Sequence, residues 1–191
     1  MTPSVSAAVL LPQNTALPPC VERCGTPMAG DLPAHVWAVD TNHVAAVVYG
    51  AAQRLLPHLG QGQRIDAAIL RSVMTDAFGS SDSAGGWDWK LAYVATEAAT
   101  VLFLRRHGPA LIAKAGSPDA MLSLLARIAS LLPTQTRRSE DMNAFQQFST
   151  PIELGWAAVT AARVQPGEVV LEPSAGTGLL AILAQLHGGS L

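Results

Sequence analysis

Between residues 40 and 133 the apolar positions recur at spacings of three and four, the period of helices that bury one face. Val44, Val47, Val48, Ala51 and Leu55 make a first stripe, with Asp40 or Thr41 as its cap and an end expected near Pro57. Ile65, Ile69, Val73 and Ala77 make a second, closed by Gly79, and the polar tract at 79–86 reads as a loop. Asp88 is placed to cap a third helix through Tyr93, Val94, Val101 and Leu104, with a stop expected at Gly108-Pro109. Ser117 and Pro118 then stand as cap and first helical residue of a fourth, whose Met121, Leu124, Leu125, Ile128 and Leu132 run to Pro133.

The flanks carry a different pattern. Residues 1–35 hold six prolines and no sustained period, which predicts a flexible lead-in, and the polar stretch 134–145 reads as a linker. Beyond it, Thr150-Pro151-Ile152-Glu153 has the form of a capping box with proline at the first helical position, opening a helix through Ala162. Gln165-Pro166-Gly167-Glu168 is a turn, Val169-Val170-Leu171 a short buried-type strand, Pro173 to Gly178 a glycine loop, and Leu179 to Leu186 a helix. The expected fold class is thus a mainly α N-terminal domain over 36–133, followed over 146–191 by the truncated start of an α/β Rossmann-like domain.

Composition narrows the picture. Apolar residues make up 49% of the chain and charged ones 14%, well under the roughly 25% of an ordinary soluble domain. So lightly charged a surface suits part of something larger. The net charge of -2 gives no global pull toward nucleic acid or an anionic membrane, so any DNA contact must be local or lie elsewhere in a longer protein. Cys20 and Cys24 lack the two further soft ligands that a zinc site needs. His35, His43, His58 and His187 show no metal-ligand spacing. With no apolar run long enough to span a bilayer and no basic start to a signal peptide, the expectation is a cytoplasmic protein without a membrane partner.

The informative stretch is VVLEPSAGTGLLAIL, residues 169–183. A strand ends in the carboxylate of Glu172, Gly176 and Gly178 bracket a tight loop, and a helix follows. Such a loop lets a ligand approach bare backbone beyond the strand end. A phosphate loop would need Gly-Lys-Ser/Thr, and the loop contains no lysine. A dinucleotide fingerprint would need a third glycine where Ala181 stands. The form Glu172-Pro173-x-x-Gly176-x-Gly178 instead resembles the first motif of S-adenosylmethionine-dependent methyltransferases, particularly those that methylate amines. About one helix upstream, Gln146-Gln147-Phe148-Ser149-Thr150-Pro151 resembles the Gln-Phe-x-Thr-Pro segment of N6-adenine DNA methyltransferases. Helix capping explains Thr150, Pro151 and Glu153 without a ligand, but not Phe148 or the order of the two motifs.

The longer run, GWDWKLAYVATEAATVLFLRRHGP followed by LLPTQTRRSE and then both motifs, resembles the N-terminal part of bacterial strawberry-notch-like proteins. These join a methyltransferase-like domain to a helicase domain in one chain. The resemblance covers roughly residues 45–190. It implies S-adenosylmethionine as cofactor, DNA as substrate and a helicase domain as partner in a longer protein. It also implies that Phe148, Thr150 and Pro151 border the cofactor, while Glu172, Gly176 and Gly178, with Pro173 in the same loop, hold its methionine end, the carboxylate of Glu172 facing its amine. The Asn/Asp-Pro-Pro-aromatic catalytic motif is missing from the sequence, as is a second acidic strand end for the ribose. The expectation is an opening fragment, inactive alone, with no catalytic residue of its own. The alternative is a non-enzymatic helical module for DNA or a partner, attached to a methyltransferase-like relic. Trp87 and Trp89 are expected to pack on the core rather than stack on bases, and Arg105-Arg106-His107 to sit at a helix's C-terminal end.

Overall fold

The computed structural model describes residues 41–135 and 149–191, and these are mainly helical. The expectations for the lead-in with Cys20, Cys24 and His35, for Gln146, Gln147 and Phe148, and for most of the 134–145 linker lie outside the described residues. In chain order the helices are α1 Thr41–Gly60, α2 Ala67–Phe78, α3 Trp89–Ala115, α4 Pro118–Ala129, α5 Ile152–Ala162 and α6 Leu179–Leu186.

The caps expected at Asp88 and Ser117 form, and Asp66, for which no cap was expected, caps α2 in the same way. Asp66 accepts from the amides of Ala68 and Ile69 at 2.9 and 2.8 Å, Asp88 from Leu91 at 2.8 Å, and Ser117 from Ala120 at 3.2 Å. Each satisfies amides that the first helical turn leaves without a partner. Gly79 closes α2 in the left-handed conformation, at φ 68°.

Two expected stops do not occur. α1 runs through Pro57 to Gly60, and α3 runs through Gly108-Pro109 to Ala115. Proline removes a hydrogen bond and crowds the carbonyl four residues back. Here tertiary packing outweighs that cost: Leu59 is buried past the first proline, and Leu111 and Ile112 pack on the core past the second. Arg105, Arg106 and His107 consequently lie within α3 rather than at its end, and the His107 ring sits 4.8 Å from that of Phe103.

α3 is the central element. Its 91–104 stretch is apolar nearly all round, and it takes α1, α2, α4 and α6 as neighbours. Ala51, Leu55, Leu70, Met74, Leu104 and Leu125 are fully buried in the resulting core, and Leu183 of α6 belongs to the same cluster. α6 comes close because Gly108 offers no side chain: a Cβ there would meet the Leu186 methyls at 2.6 Å. Residues 41–129 and 152–186 therefore share one apolar core.

Trp87 packs into the core, with its ring 5.6 Å from that of Trp89 in a T-shaped arrangement. Trp89 lies under the Arg71 guanidinium at 5.3 Å and donates to Asp82 at 3.2 Å, while Arg71 pairs with the same carboxylate at 3.3 Å. Desolvation opposes the charge on Asp82. The Arg71 hydrogen bond and charge, with the Trp89 and Ser83 N–H groups, outweigh it and hold the carboxyl below its ordinary value.

The C-terminal segment departs from expectation in two places. The Thr150 box does not form: Pro151 occupies the cap position of α5, and no side chain caps it. Residues 169–171 do not make a strand, and a single parallel bridge joins Val169 to Ser190. A strand needs a ladder, and with just two bonds in this one (Val170 amide to Ser190 oxygen and Ser190 amide to Glu168 oxygen, both 2.7 Å) the pairing stops at one rung. Val169 and Leu171 are left 84% and 86% exposed. No Rossmann-like domain is built among the described residues. Nor does any of their helices have the length and apolarity to cross a membrane.

Candidate functional site

The glycine loop is held by its own backbone. Gly178 stands at φ 89° as the cap of α6, a conformation that glycine adopts without steric cost. Its amide donates to the Ala175 oxygen at 2.7 Å, and Glu172 reaches forward to accept the Ser174 amide at 2.9 Å. At the far end of α6, Gly188 and Gly189 turn the chain back tightly. A Cβ on Gly188 would meet Pro166 at 3.1 Å, and one on Gly189 would meet Val170 at 2.9 Å. These contacts bring residue 190 beside residue 169 and set the parallel bridge.

The loop faces α3 across a groove of about 860 Å³. Pro173 to Thr177 form one wall, Lys90, Tyr93, Val94 and Glu97 of α3 the other, and Ser149-Thr150 one end. The Thr177 hydroxyl oxygen is buried with no hydrogen-bond partner among the described residues. A second cavity of about 370 Å³ adjoins, between α3, the end of α4 and the start of α5. It shares Tyr93, Glu97, Gln135, Ser149, Thr150 and Leu179 with the groove and adds Pro151 and Glu153. Thr96 and Thr100 lie buried at its floor with their hydroxyls donating to the Ala92 and Thr96 oxygens at 2.9 and 3.0 Å.

Set against the sequence, Thr150, Pro173 and Gly176 line the groove, and Pro151 lines the adjoining cavity. Gly178 supports the loop from the helix cap. Glu172 does not line the groove, and Phe148 lies outside the described residues. Sequence reasoning missed the wall contributed by α3. Its signal was Glu97, the one charged residue between Lys90 and Arg105 in an otherwise apolar run. The Ser149 hydroxyl donates to Glu97 Oε2 at 2.8 Å, so the segment before α5 is tied to the middle of α3.

Among the described residues no three metal-ligating side chains converge. His187 sits instead in a packing role, its ring 5.1 Å from that of Trp156 and its Nδ1 3.2 Å from the Val164 oxygen. The groove has the volume of a small-molecule site, which runs from roughly 300 to 1,000 Å³. Its chemistry is mixed: exposed loop backbone and an aromatic ring, with a lysine and a carboxylate two helical turns apart. No family model, curated protein or solved structure matches the chain.

Proposed function

We propose that this chain is the opening part of an S-adenosylmethionine-dependent methyltransferase acting on an adenine amine in DNA, joined to a helicase domain in a longer protein. The observation that carries the reading is a convergence. Ser149-Thr150 and Pro173 to Thr177, over twenty residues apart in sequence and linked beforehand by a motif resemblance alone, line one groove. The sense of the chain around that groove supports it. Residues 168–190 run as extended segment, glycine loop, helix and parallel return, the order in which a Rossmann-like sheet begins. The exposed Val169 and Leu171 suit a strand that further pairing would bury.

In this reading the bare backbone at Gly176 lets the amino-acid end of the cofactor approach. The first turn of α6, with amides unpaired inside the helix, faces its negative charge. Residues that orient the adenine amine and manage its proton are not supplied by this sequence, so methyl transfer requires the longer protein. That missing motif also supports a second reading, a non-enzymatic helical module carrying a methyltransferase-like relic. Binding and transfer separate the two. The expected results are weak S-adenosylmethionine binding by the 191-residue chain, lost in Gly176→Arg, and labelled methyl transfer to DNA by the longer protein. Binding without transfer in the longer protein would favour the relic, and no binding by either would end the methyltransferase reading.

A further inference from the structure

We propose that Glu97 of α3, oriented by Ser149, is the carboxylate that receives the ammonium group at the amino-acid end of the cofactor. This rests on reading the groove as an S-adenosylmethionine site, and it moves to the helical region a role that the motif resemblance gives to Glu172. Glu172 is turned away from that task. Its Oε1 accepts the Ser174 amide at 2.9 Å, and the residue is not part of the groove wall. Its carboxylate holds the loop's shape.

Glu97 has the opposite character. It is half-buried and lines both the groove and the adjoining cavity. Ser149 donates to Oε2 at 2.8 Å, and among the described residues no Lys or Arg pairs with the carboxylate. A half-buried carboxylate without an ion-pair partner among the described residues gains from a cationic ligand that also donates hydrogen bonds. Glu153 on the adjoining cavity adds negative potential of the same sign. Tyr93, one turn before Glu97 on the same wall, supplies an aromatic surface beside the charge.

The competing account makes the Ser149–Glu97 bond a tether that fastens the start of α5 to α3. A pair of ligands separates the two. S-adenosylhomocysteine keeps the ammonium group, and 5′-methylthioadenosine lacks the whole amino-acid end. Both are titrated into the 191-residue chain, followed by amide NMR shifts across residues 173–178. In Glu97→Gln, affinity for S-adenosylhomocysteine is expected to fall about tenfold, the scale of one charge-assisted hydrogen bond. Affinity for 5′-methylthioadenosine stays unchanged. Ser149→Ala gives a smaller loss with the same selectivity, and Glu172→Gln weakens both ligands alike by loosening the loop. Equal binding of S-adenosylhomocysteine by Glu97→Gln and the parent chain overturns the proposal, as does an equal loss for both ligands. If the parent chain and the longer protein bind neither, the methyltransferase reading itself fails, and the assignment of Glu97 falls with it.

Discussion

Residues 41–129 and residues 165–191 are ordered by different means. The first region is built from helices whose starts are written beside them: Asp66, Asp88 and Ser117 each cap their own helix through local bonds. The second has one short helix, turns made by Gly167, Gly178 and Gly188 at positive φ, and a single bridge between Val169 and Ser190. Its order comes from contact with the first region, through α6 on α3 and Leu186 against Gly108. The contrast teaches that the candidate groove belongs to neither region alone. One wall is a helix, and the other is a loop shaped by its own bonds and brought to α3 by the docking of α6.

The sharpest test of that dependence is Leu183→Ala. Leu183 is fully buried where α6 meets α3 and α5, and a cavity there is expected to cost about 2–5 kcal/mol. Urea titration followed by circular dichroism measures it. A loss under about 1 kcal/mol would show that α6 rests loosely on the helical region rather than within its core.

Gly108→Leu probes the same contact from the other side. The added side chain meets Leu186, and overpacking of this kind costs about 1–3 kcal/mol. The loss should be mostly absent in a chain already lacking α6, since the obstructing methyls are gone. If it persists there, Gly108 matters for α3 itself.

The pH response isolates the helical region. Because the Asp82 carboxyl is held below its ordinary value of 3.8, its stabilising effect is complete above that value. It is lost as pH falls through the lower, folded value. Tryptophan fluorescence is expected to change in that acid range, since Trp89 donates to Asp82, and the step should vanish in Asp82→Asn. A step unaltered by this substitution would assign the acid response to another carboxylate.

The smallest effect on stability is expected from the pair Val169→Thr and Leu171→Thr. Both side chains are mostly exposed, so the change should stay within about 0.5 kcal/mol. Light scattering at high concentration should nonetheless fall, because an exposed apolar edge promotes association. A large stability loss would mean that this segment is packed as firmly as the helices.

How much was legible follows from the same division. The caps at Asp88 and Ser117 need just a few neighbouring residues and were read from the sequence, whereas the equally local cap at Asp66 was missed. Pro57 and Pro109 misled because a local breaker was set against burial of Leu59 and Ile112, contacts that lie far off in sequence. The Thr150 box looked sufficient in sequence, yet α5 starts at Ile152 with Pro151 as its cap. Its neighbour Ser149 instead bonds Glu97, 52 residues away. Val169-Val170-Leu171 has a strand's composition, but a strand is a property of two segments, and the bridge to Ser190 provides one rung. Of the site, the loop and Thr150 were readable as motifs. The α3 wall was not, because packing brings Tyr93 and Glu97 to the loop and no local pattern does.

The notch at Gly108 has a consequence for the order in which a ribosome delivers the fold. Leu186 is added about 78 residues after Gly108, which at roughly 5–20 residues per second is on the order of 4–16 s. For that interval the helical region has its own caps, and much of its core can close without the partner. What waits uncovered at the notch is bare backbone on α3, where a larger residue would have presented an apolar knob to every other nascent chain. The glycine that later admits Leu186 thus also keeps the docking surface quiet until then.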